Sequence, residues 1–417
     1  MRHIKAEIVT IGDEILYGQI TDTNTQWISA ELDKVGIKTV RKSSVGDNEA
    51  DILNIFKEAS ERADIVLLTG GLGPTKDDIT KKTLCKYFND ELIINQEALA
   101  FITDFFEKRG RKMTELNTLQ AAIPSRCTYL HNKTGTAPGM WFEHEGTIFV
   151  SMPGVPVEMK YLMSAEVIPR LKAHFQTPVI VHQIIRTIGQ GESFLAEQIE
   201  SWEDALPENI RLAYLPSFGQ VKLRLTGFGD DEEIVQKQID AEIEKLKPII
   251  GNFIYSYDNE ELESAIGRLL KERNMTISAA ESCTGGFVSH LFTRVAGSSA
   301  YFMGSVVSYS NEAKMKILGV KSDTLEAFGA VSEQAATQMA EGVRNLLGTD
   351  FGIATTGIAG PDGGTPEKPV GTIWIACATK EKTIARKLQL SNQRLTNIEY
   401  GSVFVLNLLR RMILKEI

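Results

Sequence analysis

Two apolar runs that break off into glycine-rich loops constrain this chain more than any other feature. Ile65-Val66-Leu67-Leu68 leads straight into Thr69-Gly70-Gly71-Leu72-Gly73-Pro74-Thr75-Lys76-Asp77-Asp78. A second run, residues 350–355, opens into 356–371, sixteen residues that hold five glycines and three prolines. A short unbroken apolar run reads as a strand buried on both faces, as in a parallel sheet covered by helices. Ligands of such sheets bind beyond the C-terminal ends of the strands. Glycines at those ends let the main chain come close to a ligand.

The surrounding pattern agrees. Strand-like segments at 6–11, 37–45 and 64–68 alternate with helical spacing at 24–35 and 49–62, the first helix stopping at Gly36. This alternation predicts an α/β fold with a doubly wound sheet and right-handed crossovers. A chain of 417 residues is too long for one core. The expected division is 1–175 (doubly wound α/β), 176–256 (small α+β) and 257–417 (a second α/β domain).

The formal charge of −9 argues against a broad nucleic-acid footprint, which needs a basic face. No apolar run approaches a membrane span, and Met1-Arg-His-Ile-Lys leads into a strand rather than a signal sequence. Cys85, Cys127, Cys283 and Cys377 are too scattered for a metal-ligand pair or a disulfide framework. A reducing cytoplasm is the expected location.

The first glycine loop has two readings. It is a tight βα turn with an Asp cap, or a phosphate cradle made by Gly70, Gly71, Gly73 and the following helix N-terminus. In the second reading Asp77 and Asp78, with Glu14 of Gly12-Asp13-Glu14, hold a divalent cation against phosphate oxygens. These residues, with Asp22-Thr23-Asn24, Asn132, Gly135-Thr136-Ala137-Pro138-Gly139 and Met152-Pro153-Gly154-Val155-Pro156-Val157-Glu158-Met159, resemble the molybdopterin-binding fold, and more closely the N-terminal half of the CinA family. That resemblance implies metal-dependent ADP-ribose pyrophosphatase activity. The glycine loop would take the phosphate, and Asp78 with Asp77 or Glu14 would be the candidate metal ligands. Residues 176–256 are similar to the KH-like middle domain of CinA proteins. Gly189-Gln190-Gly191 lacks the spacing and basic character of a KH clamp, and Glu192 follows it, so RNA binding is not expected.

The densest chemistry lies between Glu281 and Lys314. Serine needs a base at neutral pH. His290, in the middle of an apolar helix, reads as a packed or surface residue. A Ser-Lys pair is the alternative. Lys314 falls near the start of a helix at 311–318, where the positive end of the dipole and burial both lower an amine's pKa. Tyr309 ends the preceding strand and can share a pocket with Lys314. Ser299 lies in the Gly297-Ser298-Ser299 turn. The plainer readings are turn serines, a half-buried tyrosine and a solvated lysine. Cys283 is a rival nucleophile, or a small buried residue.

Ala280-Glu281-Ser282-Cys283-Thr284-Gly285-Gly286, Gly297-Ser298-Ser299, Tyr309-Ser310-Asn311-Glu312-Ala313-Lys314, Gly329-Ala330-Val331-Ser332 and the 356–371 loop together look like the CinA C-terminal domain, the nicotinamide-nucleotide amidohydrolase family. The resemblance implies hydrolysis of the carboxamide of nicotinamide mononucleotide to nicotinic acid mononucleotide and ammonia. It implies Ser299 as nucleophile, Lys314 as general base and Tyr309 as its partner. Ser282, Thr284, Gly285, Thr356, Gly357 and Gly360 would line the substrate site, and Arg394 would meet the phosphate. No metal is expected in this domain, and a homodimer is. Two alternatives remain: a deamidase whose N-terminal half only binds or assembles, and a competence-related accessory protein.

Overall fold

The computed structural model describes residues 4–417 except Pro74, Lys76 and Asp77. The chain packs into two compact units, one of residues up to Val181 with Phe228–Val235, the other of His182–Gly227 with Gln236–Ile417. Among the described residues no helix is long and apolar enough to cross a membrane.

The first unit holds β1 (Lys5–Ile11), β2 (Lys38–Val45), β3 (Ile65–Thr69), β4 (Leu92–Ile94), β5 (Ala122–Pro124), β6 (Thr128–Leu130), β7 (Gly139–His144) and β8 (Thr147–Met152). Six of them form one sheet in the order β2-β1-β3-β8-β7-β6. β3 and β8 are buried along their whole length, because helices cover both faces. Ile8, Leu67 and Val150 face one core, and Val9, Leu68 and Phe149 face the other. The sheet is not purely parallel as the alternation predicted. β7 and β8 are antiparallel, since Glu145 and Gly146 both take positive φ, 50° and 82°, as a two-residue hairpin turn requires.

A four-stranded sheet, most of whose residues belong to the second unit, is formed by β9 (Val179–Ile188), β10 (Ile210–Ser217), β11 (Gln220–Gly229) and β12 (Ile254–Ser256) in the order β10-β11-β9-β12. The helices Glu192–Asp204 and Glu232–Ile250 accompany it, and Trp202 Nε1 donates to the Glu242 carbonyl between them.

The remainder of this unit is built on β13 (Ile277–Glu281), β14 (Phe302–Val307), β15 (Phe351–Gly357), β16 (Thr372–Ala378) and β17 (Thr383–Gln389), ordered β14-β13-β15-β16-β17. β13 runs parallel to both its neighbours, and β16 and β17 complete the sheet antiparallel. Ala280, Ala354 and Ala376 form a face of small side chains under the helix Glu333–Leu347. That helix lies so close that a Cβ on Gly352 would come within 2.2 Å of the Ala340 carbonyl. Ala279, Ile353 and Cys377 face the other core with Val405 and Leu409 of the helix Arg394–Ile413. The strand order reverses direction around β13 and β15, so their C-terminal ends open onto a crevice.

Candidate active site

That crevice is lined by Ser282, Cys283, Tyr309, Asn311, Lys314, Ala330, Val331, Thr356, Gly357, Ala359 and Arg394. β13 ends at Glu281, so Ser282 is the first residue past the sheet, its amide held by the Thr355 carbonyl. The helix Asn311–Leu318 starts on the Ser310 hydroxyl, which caps the Ala313 amide. Lys314 and Leu318, one turn apart, are its buried residues. The face that sends Leu318 into the core therefore sends Lys314 into the site.

Lys314 Nζ lies 3.0 Å from Ser282 Oγ, 2.7 Å from the Ser308 carbonyl and 3.4 Å from the Tyr309 carbonyl. Lys314 is 1% exposed, and among the described residues no carboxylate comes within ion-pairing distance of it. Burial lowers its pKa below the ordinary 10.5, with Cys283 opposing weakly. Lys314 Nζ donates to all three acceptors, and the burial that lowers its pKa favours the neutral amine, whose lone pair would face the Ser282 hydroxyl.

The expected Ser299–Lys314 pair is not formed. Ser299 sits in a short 3-10 turn, Ser298–Ala300, before β14, whereas Ser308 and Lys314 follow the strand's other end. A six-residue strand separates them by roughly 20 Å. Tyr309 also differs from expectation. Its main-chain carbonyl, not its hydroxyl, faces Lys314; the hydroxyl accepts from Arg394 Nη2 at 3.3 Å.

Thr284 and Gly285 do not line the crevice. Thr284 is buried, its hydroxyl shared between the Glu281 carboxylate and Thr355 at 2.7 Å each. Gly285 serves the turn, with φ of 60°. Behind them Glu281, 1% exposed, accepts from the amides of Gly286, Val288 and Ser289 and from the Thr284 and Ser289 hydroxyls. It thus occupies the N-terminus of the helix Phe287–Thr293 and anchors the Ser282 turn. Among the described residues no main-chain carbonyl accepts from the Cys283 or Thr284 amide. Burial pushes the Cys283 thiol up to about 12, which keeps it protonated and a poor nucleophile at neutral pH.

Thr356 is held by the Ala330 carbonyl at 2.8 Å. Gly357 is needed because a Cβ there would meet the Thr372 carbonyl at 2.8 Å. Gly360 contributes through its carbonyl, which accepts from Arg394 Nη1 at 3.1 Å. Arg394 is thereby fixed, exposed, at the crevice mouth. Asn311 was not foreseen; its signal is the i, i+3 spacing from Lys314.

In the first unit, a Cβ on Gly70 would fall 2.0 Å from the Ile11 carbonyl and one on Gly71 2.0 Å from Thr80 Oγ1, so both loop glycines are required by close packing. Gly73 abuts the Asp78 carboxylate. Asp78 accepts from the Thr75 amide at 3.0 Å and from the Thr75 hydroxyl, an arrangement that closes the turn. Glu14 is exposed and folds back over Gly12. Asp77 lies outside the described residues. Among those described, no three His, Cys, Asp or Glu side chains converge as a metal site. Nearby, buried Asn24 donates to Thr69 Oγ1 at 3.1 Å and to the Gly154 carbonyl at 2.8 Å, and its Oδ1 has no partner among the described residues.

Residues 259–413 match the CinA C-terminal domain, 7–173 a probable molybdopterin binding domain, and 182–256 the damage-inducible protein CinA KH domain. The chain is 56% identical over 415 residues to a CinA-like protein of Cytophaga hutchinsonii, covering 100% of this chain and 99% of that one. It is 44% identical over 391 residues to a putative competence-damage inducible protein of Caldanaerobacter subterraneus, covering 94% of each. A solved structure of a competence/damage inducible protein from Agrobacterium tumefaciens is 37% identical, with a TM-score of 0.36, and covers 36% of this chain and 93% of that one.

Proposed function

The chain belongs to the CinA family, and from that premise we propose that its C-terminal domain is a nicotinamide-nucleotide amidohydrolase in which Ser282 is the nucleophile and Lys314 the general base. The observation that carries this reading is the 3.0 Å contact between Lys314 Nζ and Ser282 Oγ in a site that keeps the amine from a carboxylate. The substrate class comes from the family resemblance.

Neutral Lys314 takes the Ser282 hydroxyl proton as Oγ bonds to the carboxamide carbon. The Cys283 amide, on the crevice wall next to Ser282, is the candidate to hold the oxyanion, an interaction worth several kcal/mol in such sites. As the tetrahedral centre collapses, the carbon–nitrogen bond breaks and Lys314 returns its proton to the leaving ammonia. Water then gives a proton to Lys314 and attacks the acyl carbon. The ester bond to Ser282 breaks, Oγ recovers the proton, and nicotinic acid mononucleotide leaves. Arg394 and the Tyr309 hydroxyl at the mouth suit the 5′-phosphate. Ammonia release by the full chain from nicotinamide mononucleotide, nicotinamide riboside and free nicotinamide tests the reading. Turnover of the mononucleotide is expected; no ammonia from any of the three would overturn it.

For the N-terminal unit we propose a phosphate-bearing ligand at the Gly70–Gly71 loop, supported by the position of these two positive-φ glycines just past the C-terminal end of β3. Metal-dependent cleavage of ADP-ribose is the activity that the family resemblance attaches to it. AMP formation from ADP-ribose with added magnesium or manganese tests this. Binding without AMP under either cation would make the unit a binding or assembly module.

A further inference from the structure

A second cavity, of ≈690 Å3, lies in the same compact unit, between β16, β17, the C-terminal half of the helix Arg394–Ile413 and the turn at Asn252–Phe253. It shares no lining residue with the candidate active site. Arg394 and Arg410 stand at opposite ends of their helix, roughly 24 Å apart at 1.5 Å per residue.

Its lining is cationic. Arg386, Lys387, Arg410 and Arg411 face it with one carboxylate, Glu416. Charge on an edge strand discourages pairing with other chains, which accounts for Arg386 and Lys387 of β17 taken alone. It does not account for Arg410, which is 4% exposed. Arg410 donates Nη2 to the Asn252 carbonyl at 3.1 Å and Nε to Asn407 Oδ1 at 3.3 Å. Both acceptors are neutral. The Glu416 carboxylate stands 3.8 Å from Arg410 Nη1 and is shared with Arg411 Nε at 3.5 Å. A buried cation whose counter-ion stands at the limit of ion-pairing distance and is shared with a second arginine is costly, and a guanidinium has five N–H donors to satisfy. An anion entering the cavity meets both needs. Phe404, Leu388 and Ile188 give the same cavity an apolar wall, and its volume is that of ordinary small-molecule sites.

We propose that this cavity is a second ligand site, taking a phosphorylated nucleoside with its phosphates against Arg386, Arg410 and Arg411 and its base against Phe404. The proposal stands whether or not the deamidase reading does.

The test is calorimetric titration of the full chain with ADP, at fixed ionic strength, in an Arg394→Gln background that weakens nucleotide capture at the other crevice. Saturable ADP binding is expected, weakened at least about tenfold in the Arg386→Gln/Arg411→Gln double variant, about 1.4 kcal/mol. Hydrogen exchange should slow on ADP addition in residues 384–389 and 404–411, and adenosine should do neither. Equal ADP affinity in the double variant and its parent, no protection of these segments, or adenosine binding as tightly as ADP would each overturn the proposal. If the double variant fails to fold, Lys387→Gln replaces it, with a loss of several-fold expected and unchanged affinity counting against the site.

Discussion

Lys314 Nζ meets Ser282 Oγ at 3.0 Å across 32 residues of sequence. Ser299, only fifteen positions from Lys314, stands at the far edge of the same sheet. Ser282→Ala should therefore lower ammonia release from nicotinamide mononucleotide by roughly 10⁴-fold or more, the scale seen when a nucleophile is removed. Ser299→Ala should stay within about twofold of the parent. The reverse pattern would return the nucleophile to Ser299, and loss of activity in Cys283→Ala alone would favour the thiol.

Because burial lowers the Lys314 amine below 10.5, kcat/KM should rise with pH through that lowered value and then level off. An exposed lysine would place the rise near 10.5. The stability linkage has the same sign. The folded protein gives up this proton at lower pH than the unfolded chain, so the stability this group contributes is fully present above 10.5 and is lost as pH falls through the lowered folded value. Lys314→Arg, charged throughout, should be inactive at every pH. A parent profile that rises only near 10.5 would exclude a desolvated lysine base.

Arg394 and Tyr309 form the mouth through their 3.3 Å contact. Arg394→Gln should raise KM for the mononucleotide about ten- to a hundredfold, the equivalent of about 1.5–3 kcal/mol for a charged hydrogen bond, with kcat little changed. Tyr309→Phe should leave the pH profile in place, since the hydroxyl does not touch Lys314. A shifted profile in Tyr309→Phe would restore the tyrosine as a proton relay.

Glu281→Gln should destabilise the second unit by about 2–3 kcal/mol, because a buried acceptor of amide and hydroxyl hydrogen bonds is replaced by a group that is half donor. The measurement is the urea midpoint. An unchanged midpoint would mean that the Ser282 turn holds without this anchor.

Gly70 has φ of 115° and no room for a Cβ beside Ile11. Gly70→Ala should cost at least about 2 kcal/mol from strain and overpacking together, read as a lower unfolding midpoint for the first unit. A midpoint equal to the parent's would show that the loop can move away from β1.

Much of the architecture was legible. The apolar runs at 65–68 and 350–355 became β3 and β15, because a strand buried on both faces leaves no polar alternation to misread. The place of Lys314 near the start of a helix at 311–318 was legible too. The length of β13 was less so. Glu281, a charged residue, ends the strand as a buried cap for the next helix. That kind of burial depends on donors supplied by a later turn, which local patterning does not register.

The sequence by itself determined the domain order, the strands that end in glycine loops, and a lysine and several serines near those ends. Only the tertiary structure decided which serine the lysine meets. β13, β14 and β15 run parallel, so the residues after each strand gather at one edge and the residues before each at the other. Spacing along the chain makes Ser299 look close to Lys314, whereas parallel pairing places Ser299 before β14 and Lys314 after it. It places Ser282, just past the end of β13, beside the amine.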